Sequence, residues 1–246
     1  MNSPQRLDRK ASDDDSLRSM LVVANRILFH NRILDAFGHV SVRSAEDPSS
    51  FLLSRNLAPA LVREEDIQRF SLDAVTDDPR PSYLERFIHA ELFKARPDVQ
   101  AVVHSHSPSV IPFSVSQRPL RPIMHMAGFL PPNVPVFEIR DAAGDASDLL
   151  IRSADLGRAL AQTIGSSSVS LMRGHGSVAV GDSLQEVVFR AIYAEVNAQA
   201  QAQAEAYGTP TYLLQDEAAA AAASNATQVK RAWDFWAYEV GLAAPR

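Results

Sequence analysis

The chain has 246 residues, of which 46% are hydrophobic and 22% are charged, and its formal net charge at pH 7 is −5. This length is enough to bury the core of one ordinary domain, and the negative charge disfavours nucleic acid and anionic membrane surfaces as partners. The absence of cysteine excludes disulfides, thiolate nucleophiles and cysteine-bound zinc, and it fits a reducing compartment such as the cytoplasm.

The termini and the apolar pattern predict a single non-membrane domain. Residues 1–14 are polar and lack the apolar core of a signal peptide, so a flexible N-terminus is expected before a domain over 15–246. No apolar stretch approaches the ~20 residues of a membrane span, and no linker is rich enough in small or polar residues to separate two domains.

Helical and alternating segments follow one another along the chain. Apolar residues at helical spacing predict helices over 16–34, 82–94, 149–164, 184–207 and 215–238. Alternating or continuous apolar runs predict strands over 37–43, 51–54, 99–106, 134–139, 169–172 and 177–180, and residues 64–72 predict a turn followed by a strand. The interleaving predicts an α/β or α+β fold in one layered unit.

Three histidines form the first candidate site. His104 and His106 end the apolar run 99–106, and a strand turns side chains two apart onto one face. His175 lies between two glycines, which allow a sharp turn that brings an imidazole against another group. Three imidazoles and a carboxylate make an open site for a catalytic divalent metal. The structural alternative is that the strand histidines form hydrogen bonds at a sheet edge.

Glu85 is the candidate carboxylate, and it too has a structural alternative. In Ser82-Tyr-Leu-Glu85 the glutamate completes a capping box, accepting a hydrogen bond from the backbone amide of Ser82. His89 shares the helix face of Glu85. It is either a partner of the site or, as favoured here, an ordinary residue of the helix surface.

The strand over 37–43 presents further candidates on one face. His39 and Arg43 lie two positions to either side of Ser41. Arg43 offers a planar fork for a carboxylate or phosphate, or it forms an ordinary surface ion pair. The sequence contains no nucleophile elbow, no Gly-x-Gly-x-x-Gly segment and no Gly-Lys-Ser/Thr phosphate loop, so nicotinamide and nucleotide chemistry lack support.

Taken together, four segments resemble the class II aldolase/adducin family. They are Phe37-Gly-His-Val-Ser-Val-Arg43, Glu85-Arg-Phe-Ile-His89, Arg96-Pro-Asp-Val-Gln-Ala-Val-Val-His-Ser-His-Ser-Pro108 and Leu171-Met-Arg-Gly-His-Gly-Ser-Val-Ala-Val-Gly181. The resemblance spans residues 16–207. It implies a three-layer α/β/α domain around a mixed, largely antiparallel sheet, and a homotetramer with active sites near subunit interfaces.

The resemblance also implies roles for four residues. In the family, the positions that match His104, His106 and His175 bind a divalent metal, and the position that matches Glu85 is a ligand or an acid/base. One Mn²⁺ or Zn²⁺ per subunit is therefore expected, because imidazole-rich sites suit several first-row ions.

The chain departs from the family's sugar-phosphate aldolases where those enzymes hold a phosphate. It has Gly38-His-Val-Ser41 where they carry Gly-Asn-x-Ser, and Leu53-Ser-Arg-Asn-Leu57 where they carry a Thr-Pro-Ser-Gly-like turn. Arg55 and the bulky residues before Glu85 would fill the phosphate cradle, which suits a planar, carboxylated substrate. Segments 35–43 and 83–89 resemble a subgroup with metal-dependent decarboxylases of ortho-hydroxy aromatic or pyridine dicarboxylates.

The sequence thus predicts a divalent-metal lyase, foremost a decarboxylase of a hydroxylated aromatic or heteroaromatic carboxylate. His39 is expected to deliver a proton to the ring carbon, and Arg43 and Arg55 to bind the substrate carboxylate. Three alternatives stay open. One is a retro-aldolase acting on a hydroxy-keto acid or a sugar phosphate, another is a non-catalytic interaction module of the adducin type, and the third is dehydration of a related phosphorylated sugar.

Overall fold

The computed structural model describes residues 13–242, which form a seven-stranded sheet with helices on both faces. The strands are β1 (His39–Arg43), β2 (Ser50–Ser54), β3 (Ile67–Ser71), β4 (Ala101–Ser105), β5 (Val136–Phe137), β6 (Val169–Met172) and β7 (Gly176–Gly181). Their order in the sheet is β3-β2-β1-β4-β7-β6-β5. Every neighbouring pair is antiparallel except β5 and β6, which confirms the predicted mixed, largely antiparallel sheet.

Eight α-helices connect and cover the strands within the described range. They are α1 (Asp13–His30), α2 (Arg86–Ala95), α3 (Ile111–Ser114), α4 (Arg140–Ala143), α5 (Ala154–Ile164), α6 (Leu184–Tyr207), α7 (Gln215–Ala226) and α8 (Val229–Glu239). None of the helices in residues 13–242 is long and apolar enough to cross a membrane.

Two hydrophobic cores show the three layers. On one face of the sheet, apolar residues of α1, α6 and α8 pack with strand residues such as Val40 and Val103. On the other face, α2 and α5 pack with residues such as Phe51 and Val102. Alternate residues of one strand therefore enter different cores, as the pleat requires. The predicted three-layer α/β/α arrangement is confirmed.

Several predicted element bounds were wrong, and the differences have local causes. The predicted strand over 134–139 is reduced to Val136–Phe137, since Pro135 has no amide to donate to a sheet. The predicted helices over 82–94 and 149–164 begin only at Arg86 and Ala154, because residues before them contribute to the site described below. The predicted helix over 215–238 consists of α7 and α8.

The predicted N-terminal segment, residues 1–14, overlaps the described part of the chain only at its last two residues. Residues 1–12 lie outside the described part of the chain, but Asp13 and Asp14 already belong to α1. Asp14 is buried, and its carboxylate accepts hydrogen bonds from the Ser44 hydroxyl and the Arg69 guanidinium.

Candidate metal centre

Four side chains from distant parts of the chain converge at one end of the sheet. The Nε2 atom of His106 lies 3.2 Å from that of His104 and 3.0 Å from that of His175. One carboxylate oxygen of Glu85 lies 3.5 Å from the Nε2 atoms of both His104 and His175. All four potential ligand atoms are within 4.8 Å of one another. The structure therefore brings together the four residues that were predicted as ligands.

The backbone explains how these side chains meet. His104 is in β4 and pairs with Val178 of β7, and His106 follows immediately after the strand. His175 lies in the tight turn between β6 and β7. In that turn Gly174 has a φ of +64°, and a Cβ on Gly176 would lie 2.0 Å from the backbone oxygen of Ser105. The two glycines thus allow the His175 turn to approach β4 closely.

Hydrogen bonds from Nδ1 to the backbone determine that Nε2 is the ring nitrogen of His104 and His175 that faces the cluster. His104 Nδ1 lies 3.1 Å from the backbone oxygen of Ser177, and His175 Nδ1 lies 2.8 Å from that of Leu149. A carbonyl oxygen only accepts, so each Nδ1 carries the proton and donates it. Each Nε2 then presents a lone pair to the centre of the cluster, as metal-binding histidines do.

The arrangement fits a divalent metal ion. Burial and the neighbouring imidazoles lower the pKa of His106 to about 4, and burial also lowers the pKa of His175. Where all three Nε2 atoms present lone pairs to the centre of the cluster, a cation between them removes their mutual repulsion. Metal–nitrogen bonds of about 2.1 Å place ligand atoms roughly 3.0–3.4 Å apart, and the observed nitrogen separations of 3.0 and 3.2 Å agree with that range.

Glu85 is not part of a capping box, so the structural alternative for this residue was wrong. The Ser82 hydroxyl donates instead to Gln68, and Glu85 Oε1 accepts a hydrogen bond of 2.9 Å from the backbone amide of Ile151. Burial acts to raise the pKa of Glu85. The His104 and His175 imidazoles, whenever they carry a second proton, and the Ile151 amide outweigh it and lower that pKa to about 2. Glu85 is therefore an ionised carboxylate beside the three imidazoles.

His39 lies beside the cluster and forms a hydrogen-bonded chain with residues that were not predicted as its partners. It pairs with His104 across β1 and β4, and the two ring centroids are 5.1 Å apart. His39 Nδ1 lies 2.6 Å from His89 Nε2, and His89 Nδ1 lies 2.6 Å from the Ser41 hydroxyl. The favoured interpretation of His89 as a helix-surface residue was wrong, because His89 is fully buried.

The two arginines predicted to bind the substrate differ in position. Arg43 is at the opposite end of β1, where its guanidinium donates to the backbone oxygens of Phe93, Pro48, Val99 and Arg96. These bonds make Arg43 a structural residue, and its assignment to substrate was a misinterpretation. Arg55 follows β2 and continues the register that pairs Leu53 with Ser41, so it is at the His39 end of the sheet. Its Nε donates to Asp66 over 2.7 Å.

Other contributors to the site could not be located from the sequence. The segment before α5 supplies Leu149 O to His175 and Ile151 N to Glu85, and Leu149 has a φ of +70°, an uncommon conformation for a residue with a side chain. The ring of Tyr83 packs 4.6 Å from that of His39, and its hydroxyl donates to Leu57 O. Backbone groups leave no signal in residue identity, whereas Tyr83 was conspicuous as a bulky residue before Glu85.

Comparison with known proteins identifies the family. The family described as Class II Aldolase and Adducin N-terminal domain matches residues 19–202. Decarboxylase tropJ from Talaromyces stipitatus is 39% identical over 239 residues, covering 87% of this chain and 90% of that protein. A 3,4-dihydroxyphthalate decarboxylase from Arthrobacter keyseri is 30% identical over 200 residues, covering 74% of this chain and 75% of that protein.

A solved structure shows the same fold. L-fuculose 1-phosphate aldolase from Glaciozyma antarctica PI12 superimposes with a TM-score of 0.77 over 97% of this chain and 95% of that protein, at 22% identity. The family match over most of the chain, the decarboxylase relatives and the shared fold lead to one conclusion. This chain belongs to the class II aldolase and adducin family and is an enzyme of the lyase class.

Proposed function

We propose that the protein is a divalent-metal-dependent decarboxylase of an ortho-hydroxy aromatic or heteroaromatic carboxylate. The observation that carries the proposal is the cluster of three imidazoles and one ionised carboxylate. It occurs in a chain that is similar over most of its length to proteins named as decarboxylases. The name of the Arthrobacter keyseri relative supports a hydroxylated aromatic carboxylate as the substrate class.

The residues of the cluster would hold the ion. His104, His106 and His175 would bind Mn²⁺ or Zn²⁺ through Nε2, and Glu85 would complete the set or act as acid/base. When bound, such an ion supplies Lewis-acid stabilisation of negative charge on substrate oxygens. The backbone oxygens of Ser177 and Leu149 keep two of the imidazoles oriented for binding.

His39 is the proposed proton-transfer residue. It would take the proton of the substrate hydroxyl and deliver it to the ring carbon that bears the carboxylate. The bond between that carbon and the carboxylate carbon then breaks, CO₂ leaves, and the electron pair of the bond returns through the ring to the oxygen. A hydroxy-carboxylate anion thus gives a phenolate anion and CO₂ without a further co-reactant. The position of His39 beside His104 supports this role.

Arg55 is the proposed partner of the substrate carboxylate. It lies at the same end of the sheet as His39, and its side chain is 31% exposed, so it is accessible to a ligand. Its hydrogen bond to Asp66 uses Nε, and a guanidinium has further donors at its two terminal nitrogens.

A groove borders the cluster at His106, the one cluster residue among its lining residues, and has room for part of a substrate of this size. Its volume is about 540 Å³, which is within the range of small-molecule sites. The end of α1 and the residues after it form one wall, with Phe29, Ile33 and Arg32 among the lining residues. The apolar side chains of Phe29 and Ile33 suit an aromatic ring, and the guanidinium of Arg32 suits a carboxylate.

The proposed enzyme is a homotetramer whose active sites lie near the subunit interfaces. Its proposed location is the cytoplasm. Large apolar side chains are exposed next to the cluster, which supports a covering subunit. Phe37 is 67% exposed with its ring 6.3 Å from that of His106, and Leu84, the neighbour of Glu85, is 55% exposed. Light scattering of the purified protein tests the tetramer, and a monomeric mass would contradict it.

A comparison of two substrate classes tests the function. Protein loaded with Mn²⁺ or Zn²⁺ is incubated with ortho-hydroxy aromatic carboxylates and, separately, with phosphorylated sugars. Metal-dependent release of CO₂ from the aromatic acids is the expected result. Release of an aldehyde without CO₂ would replace the proposal with a retro-aldolase, and absence of both metal binding and turnover would favour a non-catalytic module.

A further inference from the structure

A chain of three buried polar side chains extends from the metal cluster into the core between the sheet and α2. His39 Nδ1 lies 2.6 Å from His89 Nε2, and His89 Nδ1 lies 2.6 Å from Ser41 Oγ. The exposed fractions of His39, His89 and Ser41 are 4%, 0% and 0%. His89 and Ser41 do not reach the cluster, so the metal site alone does not explain why they are polar.

A neutral imidazole carries only one N–H proton, so the hydrogen bonds of this row of side chains must all run in one direction. A neutral imidazole has one N–H donor and one acceptor nitrogen. His89 is neutral, because it is fully buried and burial lowers its pKa to about 3. It therefore donates one of its two hydrogen bonds and accepts the other. Either His39 donates to His89 and His89 donates to Ser41, or both bonds run in the opposite direction.

The first direction suits the proposed reaction. A base that takes the proton of the substrate hydroxyl needs a lone pair on the nitrogen that the substrate reaches. With its Nδ1 proton donated to His89, His39 has that lone pair on Nε2. In the opposite direction His39 would carry its proton on Nε2 and could not accept another there.

We propose that His89 and Ser41 are positioning residues that hold His39 in the tautomer protonated at Nδ1. The inference rests on the proposed decarboxylation. His39 Nε2 then takes the hydroxyl proton of the substrate and returns it to the ring carbon, while the Nδ1–H bond to His89 persists. His89 plays the part of the third group that orients a catalytic base, with Ser41 Oγ accepting its Nδ1 proton.

Packing restricts the His39 ring on two further sides. Its ring contacts that of Tyr83 on one side, with centroids 4.6 Å apart, and that of His104, with centroids 5.1 Å apart. His89 itself packs against Phe51, with ring centroids 6.4 Å apart. In such surroundings an apolar residue at position 89 would avoid the cost of burying polar groups. The hydrogen bond to His39 gives the buried imidazole of His89 a role.

Nitrogen NMR of the resting protein tests the tautomer without turnover. The probe is zinc-loaded protein labelled with ¹⁵N-histidine, in which the seven histidines are assigned by substitution. We expect His39 to carry its proton on Nδ1 in the wild type, and this preference to be lost in His89→Leu. A His39 protonated on Nε2 in the wild type would overturn the inference, and it would do so even if the decarboxylation itself were established.

Kinetics with the same metal-loaded protein provide the second test. His89→Leu is expected to lower kcat at least tenfold with KM and bound metal unchanged, Ser41→Ala to lower kcat by a smaller factor, and His89→Gln to restore part of the loss. In a His39→Gln background, His89→Leu should cause no further loss of kcat, because residues that act through one another are not additive. Additive losses would overturn the inference.

Controls separate the possible failures. His125→Gln replaces an exposed histidine and should match the wild type in both experiments. If His89→Leu does not fold, Ser41→Ala removes only a hydroxyl and carries both tests. If the wild type releases no CO₂ from any aromatic acid, the proposed function fails, while the NMR result still decides the tautomer of His39.

Discussion

The Nε2 atoms of His106 and His175 lie 3.0 Å apart, although 69 residues separate the two histidines in the chain. The fold therefore holds these two nitrogens at a separation that suits two ligands of one metal ion. Binding of the ion to the folded state alone stabilises it by about 4 kcal/mol at a thousandfold excess over the dissociation constant. We expect chelation to lower the melting temperature and Mn²⁺ or Zn²⁺ to restore it, as measured by calorimetry. An unchanged melting temperature would contradict a resident metal.

His104→Ala should abolish both metal binding and turnover. The substitution removes an Nε2 ligand and also leaves the backbone oxygen of Ser177 without its donor. Metal content by mass spectrometry and CO₂ release are measured together, with His125→Gln as the matched histidine control. A variant that is fully active without metal would end the proposed mechanism.

Glu85→Gln should weaken metal binding while leaving the fold intact. The amide oxygen of glutamine still accepts from Ile151 N, but the negative charge beside His104 and His175 is lost. We expect metal affinity to fall by at least about tenfold, or ~1.4 kcal/mol, in competition with a chromogenic chelator. Unchanged affinity together with lost activity would limit Glu85 to an acid/base role.

Gly176→Ala should strongly destabilise the protein, because its Cβ would lie 2.0 Å from the backbone oxygen of Ser105. The loss in the free energy of unfolding is expected to exceed about 3 kcal/mol. Gly144→Ala is the control. Gly144 has φ +75° and ψ 176°, and no atom lies within 4 Å of the position that a Cβ would take, so only a backbone cost of roughly 1–3 kcal/mol applies. Equal losses in urea unfolding would refute the close approach.

Substitution of Arg43 should affect stability, whereas substitution of Arg55 should affect substrate binding. Arg43→Met removes the guanidinium that donates to four backbone oxygens, of which only that of Arg96 is known to accept a second bond, from the Val99 amide. The substitution is expected to lower stability by about 2–4 kcal/mol with KM unchanged. Arg55→Met should raise KM for the aromatic acid by about tenfold with a smaller effect on stability. Both variants are measured by urea unfolding and steady-state kinetics, and a normal KM in Arg55→Met would remove Arg55 from the site.

Acid should destabilise the metal-free protein in the range where unfolded histidines become protonated. The pKa of His89 is about 3 in the folded protein against a usual value of 6.5, so below pH 6.5 the unfolded state binds the proton first. Stability is then lost progressively as pH falls from 6.5 towards 3. Between pH 7 and pH 5 this one residue accounts for about 2 kcal/mol. His89→Gln should reduce the loss by that amount in urea titrations, and an equal loss would show that His89 does not titrate in this way.

Residue identity and local periodicity indicated the layered framework and made the three histidines candidate metal ligands. Strand alternation placed His104 and His106 on one side, and the paired glycines marked the His175 turn, because both signals depend on backbone geometry within a few residues. The alternating and helical segments likewise indicated the layered sheet. The similarity of four separate segments to one family then joined these local signals into one site.

Contacts between distant segments required the folded chain, since nothing in a local pattern specifies them. Arg43 and Arg55 looked equally suited to a carboxylate, and only the four backbone oxygens around Arg43 distinguish them. Helical spacing put His89 on the same face as Glu85, yet whether that face meets water or β1 depends on how α2 packs on the sheet. The carbonyl and amide of residues 149–151 that orient His175 and Glu85 are groups every residue carries, so their role arises from position in three dimensions and not from residue type.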